Sequence, residues 1–180
     1  MKLRKIIFLS IFLSAICCAA SASAQDTAHA KITEILSGDT FLTDQNNDAI
    51  KLLGIYIPDI NDGNVVLQLS QSTGVKIDSI KKFGLLIMDI VSRTVLGKDV
   101  ILISDKFSPD KDPKGRLLRY VYFDIDKILN ELLISYGYAF ASSKFPFEKS
   151  DYYKTLMLAS INNNKGLFSN SDFRKLQPVE

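Results

Sequence analysis

Three short β-branched or apolar runs, at residues 30–36, 40–44 and 49–57, constrain this chain more than any other feature. The first pair is parted by Gly38 and Asp39, the second by the polar cluster DQNND at 44–48, and such bounded runs predict a meander of strands. Residues 60–76, INDGNVVLQLSQSTGVK, are rich in Gly, Asn, Ser and Gln and read as an irregular excursion. From Asp78 to Val95 the periodicity changes: Ile80, Phe83, Leu86, Ile87, Ile90, Val91 and Val95 recur at three-and-four spacing, and Gly97 stops the run. That predicts an amphipathic helix. Two further strands, 99–105 and 116–124, flank the polar loop KFSPDKDPKG, and helices follow at 126–136 and 149–163.

Residues 1–24 have a different character. Lys2, Arg4 and Lys5 precede an apolar run from Ile6 to Ala20, and Ala22-Ser23-Ala24 follows. This order of charged, apolar and small residues is that of a secretory signal peptide, with cleavage expected after Ala24. A stable membrane span needs roughly 20 apolar residues, and this run is shorter. Cys17 follows Ile16 rather than a small residue, which disfavours lipid attachment. The expectation is an exported chain, periplasmic or secreted, with residues 25–180 forming one domain. The 180 residues carry 22 Lys plus Arg against 20 Asp plus Glu; without the three basic residues of the leader, the balance is 19 against 20. A nucleic-acid binder usually shows a basic excess, so any phosphate contact here must come from a local cluster. Both cysteines leave with the leader, which excludes a disulfide or a Cys-based metal site.

Three strands, a helix, two strands and two helices is the order of a five-stranded oligonucleotide-binding barrel with about three helices, an α+β fold that is mainly β. On this frame the stretches SGDTF (37–41), KLLGIYIPD (51–59), DPKGRLLRYVYFD (112–124), NELLISYGYA (130–139) and GLF (166–168) resemble the staphylococcal nuclease, or thermonuclease, family. The resemblance spans about residues 31–168. Each piece is weak alone, and five pieces in order at compatible spacing make coincidence improbable.

The resemblance implies a calcium-dependent phosphodiesterase. In that family two carboxylates hold calcium, a glutamate assists the attacking water and two arginines stabilise charge on phosphorus. The corresponding positions are Asp39 and Tyr56 for the metal, Asp59 for the glutamate, and Lys51 and Arg116 for the arginines. Asp39 and Arg116 keep the pattern, and the other three depart from it. Calcium takes six to eight oxygens, several of them from carboxylates, so a neutral tyrosine at position 56 is the gravest change. Lys51 keeps the charge and gives up the planar fork of arginine. Asp59 differs from Glu by only about 0.4 unit of reference pKa, but it is one methylene short. The resemblance therefore implies calcium held weakly.

Each residue also has a plain structural explanation. Asp39 suits a turn, Arg116 and Lys51 suit solvent-facing strand ends, Tyr56 suits a barrel mouth, and Asp59 caps a turn after Pro58. His29, the one histidine, is expected to be exposed and uninvolved. Lys106, Lys111 and Lys114 cluster before Arg116, among Asp105, Asp110 and Asp112, and Lys114 is the candidate phosphate contact. The family often stacks a base on aromatic residues beyond this point, where Phe145 and Phe147 stand; Phe145 is the candidate and core packing is expected for at least one of them. Three readings stay open: a weak exported nuclease acting on single-stranded DNA or RNA, a non-catalytic nucleic-acid or protein binding module on the same fold, and an envelope or host-facing interaction protein. A monomer is expected in each case.

Overall fold

The computed structural model describes residues 26–45 and 48–178. The leader expected over residues 1–24 lies outside the described residues, as do Asn46 and Asn47 of the polar turn.

Strand β1 (Thr27–Ser37) is long enough to serve two neighbours. Its first half pairs antiparallel with β5 (Asp99–Ile103), and its second half with β2 (Thr40–Thr43). Register shifts between Ile32 and Glu34 and between Ile35 and Ser37 bend it from one partner to the other. β2 pairs with β3 (Ile50–Leu52), β5 pairs with β6 (Leu117–Asp124), and β3 lies parallel to β6 with Lys51 beside Leu118. That parallel pairing closes the ring β1-β2-β3-β6-β5, the five-stranded barrel expected from the element order. Ile32, Phe41, Ile50, Leu118 and Val121 fill its interior with almost no exposed surface. Burial of this kind removes roughly 25 cal/mol of unfavourable hydration per Å² of apolar surface.

The expected strand 49–57 is broken. Gly54 takes φ +75°, and a Cβ there would meet the Phe147 ring at 2.6 Å, so the chain turns under that ring. It re-emerges as β4 (Ile55–Tyr56), which pairs with β8 (Phe140–Ala141) rather than continuing the barrel. Asn130 locks the break in place. Its fully buried amide accepts from the Val121 N–H at 3.1 Å and donates to the carbonyls of Leu53 at 2.8 Å and Arg119 at 3.2 Å, tying three segments together.

The irregular excursion expected over 60–76 is instead helix α1 (Gly63–Thr73). Its polar composition obscures two strong end signals. The Asp62 carboxylate accepts from the N–H groups of Asn64 and Val65, and Gly74 closes the helix in the left-handed conformation. The helix buries only Val66 and lies beside α2 (Ile77–Val95), the expected amphipathic helix. α2 covers the barrel with Ile80, Phe83, Ile87, Val91 and Val95. Helix α3 (Leu129–Ser135) starts later than the expected residue 126, because Asp126 adopts φ 58° and Lys127–Ile128 form β7, a hairpin partner of β6. α4 (Ser150–Asn162) falls as expected, and a 3₁₀ turn at Gly166–Ser169 and a short α5 (Ser171–Arg174) follow.

Candidate functional site

Four segments meet at one mouth of the barrel. The two-residue turn between β1 and β2 supplies Asp39, and β3 supplies Lys51. Tyr56 ends β4, with Asp59 in the turn beyond, and the loop entering β6 supplies Asp112, Lys114 and Arg116. With Ser142, Lys144 and Phe145 after β8, these residues line one cavity of about 170 Å³. Every residue singled out from the sequence as a site candidate therefore lies on a single cleft.

The hairpin turn is built by close packing. A Cβ at Gly38 would stand 2.8 Å from Ile57 and 3.0 Å from Ile87, so glycine lets the turn rest against both side chains. Asp39 is thereby buried with its carboxylate facing the cleft. One oxygen, Oδ1, accepts from Ser37 Oγ at 3.1 Å and Thr40 Oγ1 at 3.0 Å. The other, Oδ2, takes the ammonium of Lys51. Strand pairing delivers that ammonium: Lys51 lies directly opposite Thr40, and the Leu52 N–H donates to the Asp39 carbonyl at 2.9 Å.

Arg116 is held from within its own loop. Its Nε donates to Asp112 Oδ2 at 2.7 Å, its Nη2 lies 2.6 Å from the same oxygen, and Nη1 donates to Thr40 Oγ1 at 3.3 Å. The other Asp112 oxygen accepts the N–H groups of Lys114 at 2.9 Å and Arg116 at 3.0 Å. Burial opposes the charged form of Asp112, but the hydrogen bonds and charge of Arg116 outweigh it and hold the carboxyl below the usual carboxylate range. Thr40 joins the two ion pairs, accepting from Arg116 while donating to Asp39. A guanidinium carries five N–H groups; those engaged here leave one on each terminal nitrogen for the cleft.

Tyr56 is half-buried beside two carboxylates. Burial, then the charges of Asp39 and Asp59, push its phenol up to about 12, so it is neutral at ordinary pH. Asp59 accepts the Asn61 N–H at 3.1 Å, closing the turn expected after Pro58. Phe147 packs inward against Tyr153, with ring centroids 5.3 Å apart, whereas Phe145 stays on the cleft with Lys144 5.8 Å from its ring centre. Of the loop lysines only Lys114 lines the cleft; Lys106 pairs with Glu148 at 3.2 Å and Lys111 with Asp48 at 2.7 Å. His29 is exposed on β1 opposite Ile101.

Sequence reasoning counts Asp112 only as charge that offsets nearby lysines, and passes over Thr40 and Lys144. The spacing Asp112-Pro-Lys-Gly-Arg116 carried a usable signal for the first, since an acid four residues before an arginine in a tight turn faces it directly. Nothing local marked Thr40, whose role depends on β2 meeting the loop before β6.

A sequence model of the family described as staphylococcal nuclease homologue matches residues 49–170. The chain belongs to that family. It is also 28% identical over 151 residues to an uncharacterized protein of Methanocaldococcus jannaschii, an alignment that covers 78% of this chain and 72% of the other. The family match includes Lys51, Tyr56, Asp59 and Arg116 but begins after Asp39, which the hairpin returns to the same cleft.

Members of the staphylococcal nuclease family generally depend on calcium, so the cleft is tested against that ion. A hard divalent cation selects several carboxylate and carbonyl oxygens. Here Asp39 is already bonded to two hydroxyls and an ammonium, and the second metal position is a neutral phenol. Among the described residues no three His, Cys, Asp or Glu side chains are grouped to hold a metal ion. The donor set does not fit calcium. The cleft's cations, Lys51, Lys114, Arg116 and Lys144, outnumber its anions, Asp39, Asp59 and Asp112, which suits an anionic ligand.

Proposed function

We propose that this chain is an exported nucleic-acid-binding member of the staphylococcal nuclease family, gripping the phosphates of single-stranded DNA or RNA without efficient hydrolysis. The observation that carries this reading is the pair of fixed cations, Lys51 and Arg116, facing one cleft whose metal side is already neutralised. Each cation is anchored by a carboxylate and keeps N–H groups for a phosphate oxygen, and charge-assisted bonds of this kind are the strong ones. Phe145 beside Lys144 offers a ring on which a base stacks, a contact that tolerates any sequence. Export rests on the leader-like residues 1–24 and a monomer on the single barrel; intact-mass measurement of the exported protein should give a chain beginning at Gln25.

The test is fluorescence anisotropy with a labelled single-stranded oligonucleotide. Arg116→Ala should weaken binding about tenfold and lower the salt slope by about one. Unchanged affinity and slope would remove Arg116 from the interface and end this reading.

Residual metal-dependent hydrolysis is the second reading, favoured by Asp59 lining the same cleft as Asp39. That reading assigns Asp59 to the glutamate position of the family and Asp39 to the one remaining metal carboxylate, a donor set that would hold calcium only weakly. Digestion with calcium against chelator decides between the two. The triple variant Tyr56→Asp, Lys51→Arg, Asp59→Glu should gain cleavage that chelation abolishes, because residues acting as one unit are strongly non-additive.

A further inference from the structure

We propose that Lys51 is the resident cation of this cleft: its ammonium stands beside Asp39 where a divalent metal would otherwise stand, and the cleft engages nucleic-acid phosphate with no metal. This rests on the nucleic-acid reading for its ligand, while the claim about the cation stands on geometry alone.

Asp39 has little left to offer a metal. A carboxylate presents about four lone-pair sites; two hydroxyls and the Lys51 ammonium already occupy three directions around this one. The ion pair is shielded, with the Lys51 side chain 17% exposed and that of Asp39 3% exposed. Shielding strengthens the attraction relative to a pair in open water. The ammonium is also positioned by backbone pairing, because Lys51 faces Thr40 across two strands and Leu52 is bonded to the Asp39 carbonyl. The pairing fixes the root of the side chain, and the ion pair with Asp39 holds the ammonium at its end. A divalent ion entering this site would have to expel a cation that the fold itself delivers, and would approach Arg116 as it did so.

The replacement is chemically apt for binding and unsuited to metal-assisted cleavage. An ammonium has three N–H donors; one meets Asp39, and two remain for an anion. It neutralises the buried carboxylate as a metal would, and it supplies no coordinated water. Tyr56 completes the change. A second carboxylate there would restore the attraction for a metal, whereas the phenol stays neutral and adds no charge.

Two measurements on the purified protein test this. Manganese is titrated while backbone amide NMR signals are followed, and oligonucleotide binding is measured in EDTA and in calcium chloride at matched ionic strength. The wild type should show no selective broadening at Asp39, Thr40 or Tyr56, and its affinity should agree within about twofold between the two buffers. Lys51→Met frees Asp39. That variant should gain selective broadening at Asp39 and Thr40, lose affinity about tenfold in EDTA, and recover part of it in calcium. Lys51→Gln gives the same comparison with a polar side chain, and the amide spectrum itself reports whether either variant is folded. Selective broadening in the wild type that Asp39→Asn abolishes overturns the proposal, as does tighter wild-type binding in calcium than in EDTA. If the wild type binds no oligonucleotide in either buffer, the nucleic-acid reading falls and the manganese titration alone decides the resident cation.

Discussion

The cleft contains two carboxylate–cation pairs that look alike in chemistry and differ in how they are made. Asp112 and Arg116 sit four residues apart in one turn, joined by side-chain bonds and by the Arg116 N–H, with the Lys114 N–H on the same carboxylate oxygen. Asp39 and Lys51 are twelve residues apart and meet only because β2 pairs with β3. The local pair is a scaffold for one arginine, and it would form wherever that turn forms. The long-range pair depends on strand register, and it neutralises the most buried carboxylate of the cleft. The same interaction type thus serves as local bracing on one side and, as proposed above, as a substitute for a metal's charge on the other.

The sharpest way to break this comparison is to remove each carboxylate in turn. Asp39→Ala leaves a shielded ammonium and two hydroxyls without their acceptor, and should cost about 3 kcal/mol of stability. Asp112→Ala leaves a guanidinium of similar exposure, 21% against 17% for Lys51, and two N–H groups in a surface loop that water reaches, and should cost about 2 kcal/mol. Urea unfolding of the two variants measures both, and a larger loss for Asp112→Ala would reverse the assignment of roles.

A smaller effect is expected on acidification. The Asp112 carboxyl is depressed in the folded state, so its stabilisation is complete above the unfolded value of about 3.9 and is lost as pH falls through the lower folded value. Wild-type stability should therefore decline below about pH 4, and Asp112→Asn should flatten that part of the curve. If the variant declines as steeply as the wild type, the turn pair is not the group responsible.

The smallest effect should come from Tyr56→Phe, within about 0.5 kcal/mol near neutral pH, because the phenol adds no charge to the cleft there. Its consequence appears in alkali. The Tyr56 phenol is raised from its ordinary 10.0 to about 12 in the folded state, so its contribution is intact below pH 10 and is lost as pH rises towards 12. Ultraviolet phenolate titration should show one late-ionising tyrosine fewer in Tyr56→Phe. An unchanged profile would place the late step on another tyrosine, and Tyr120 and Tyr153, both raised by burial, are the candidates.

What could be read from the chain follows the range of the interactions involved. The order of strands and helices, the Gly38-Asp39 turn and α2 were legible because each depends on residues within a few positions of one another, and the Asp112–Arg116 spacing, equally local, went unread as a pair. α1 was partly legible: Asp62 and Gly74 bracket it, but its polar composition spoke for a loop, and its place beside α2 was not written locally. The break at Gly54 needed the ring of Phe147, and the buried amide of Asn130 needed the carbonyls of Leu53 and Arg119. The β2–β3 and β3–β6 pairings set Asp39, Lys51 and Arg116 on one cleft, and the β4–β8 pairing sets Tyr56 there with Phe145 on the chain beyond β8. Only then did Lys51, which in the sequence resembled a weakened arginine, become the partner of Asp39. Residue types and local spacing are properties of the chain, whereas the meeting of two charges twelve residues apart is set by strand register and barrel closure, which exist only once the tertiary structure has formed.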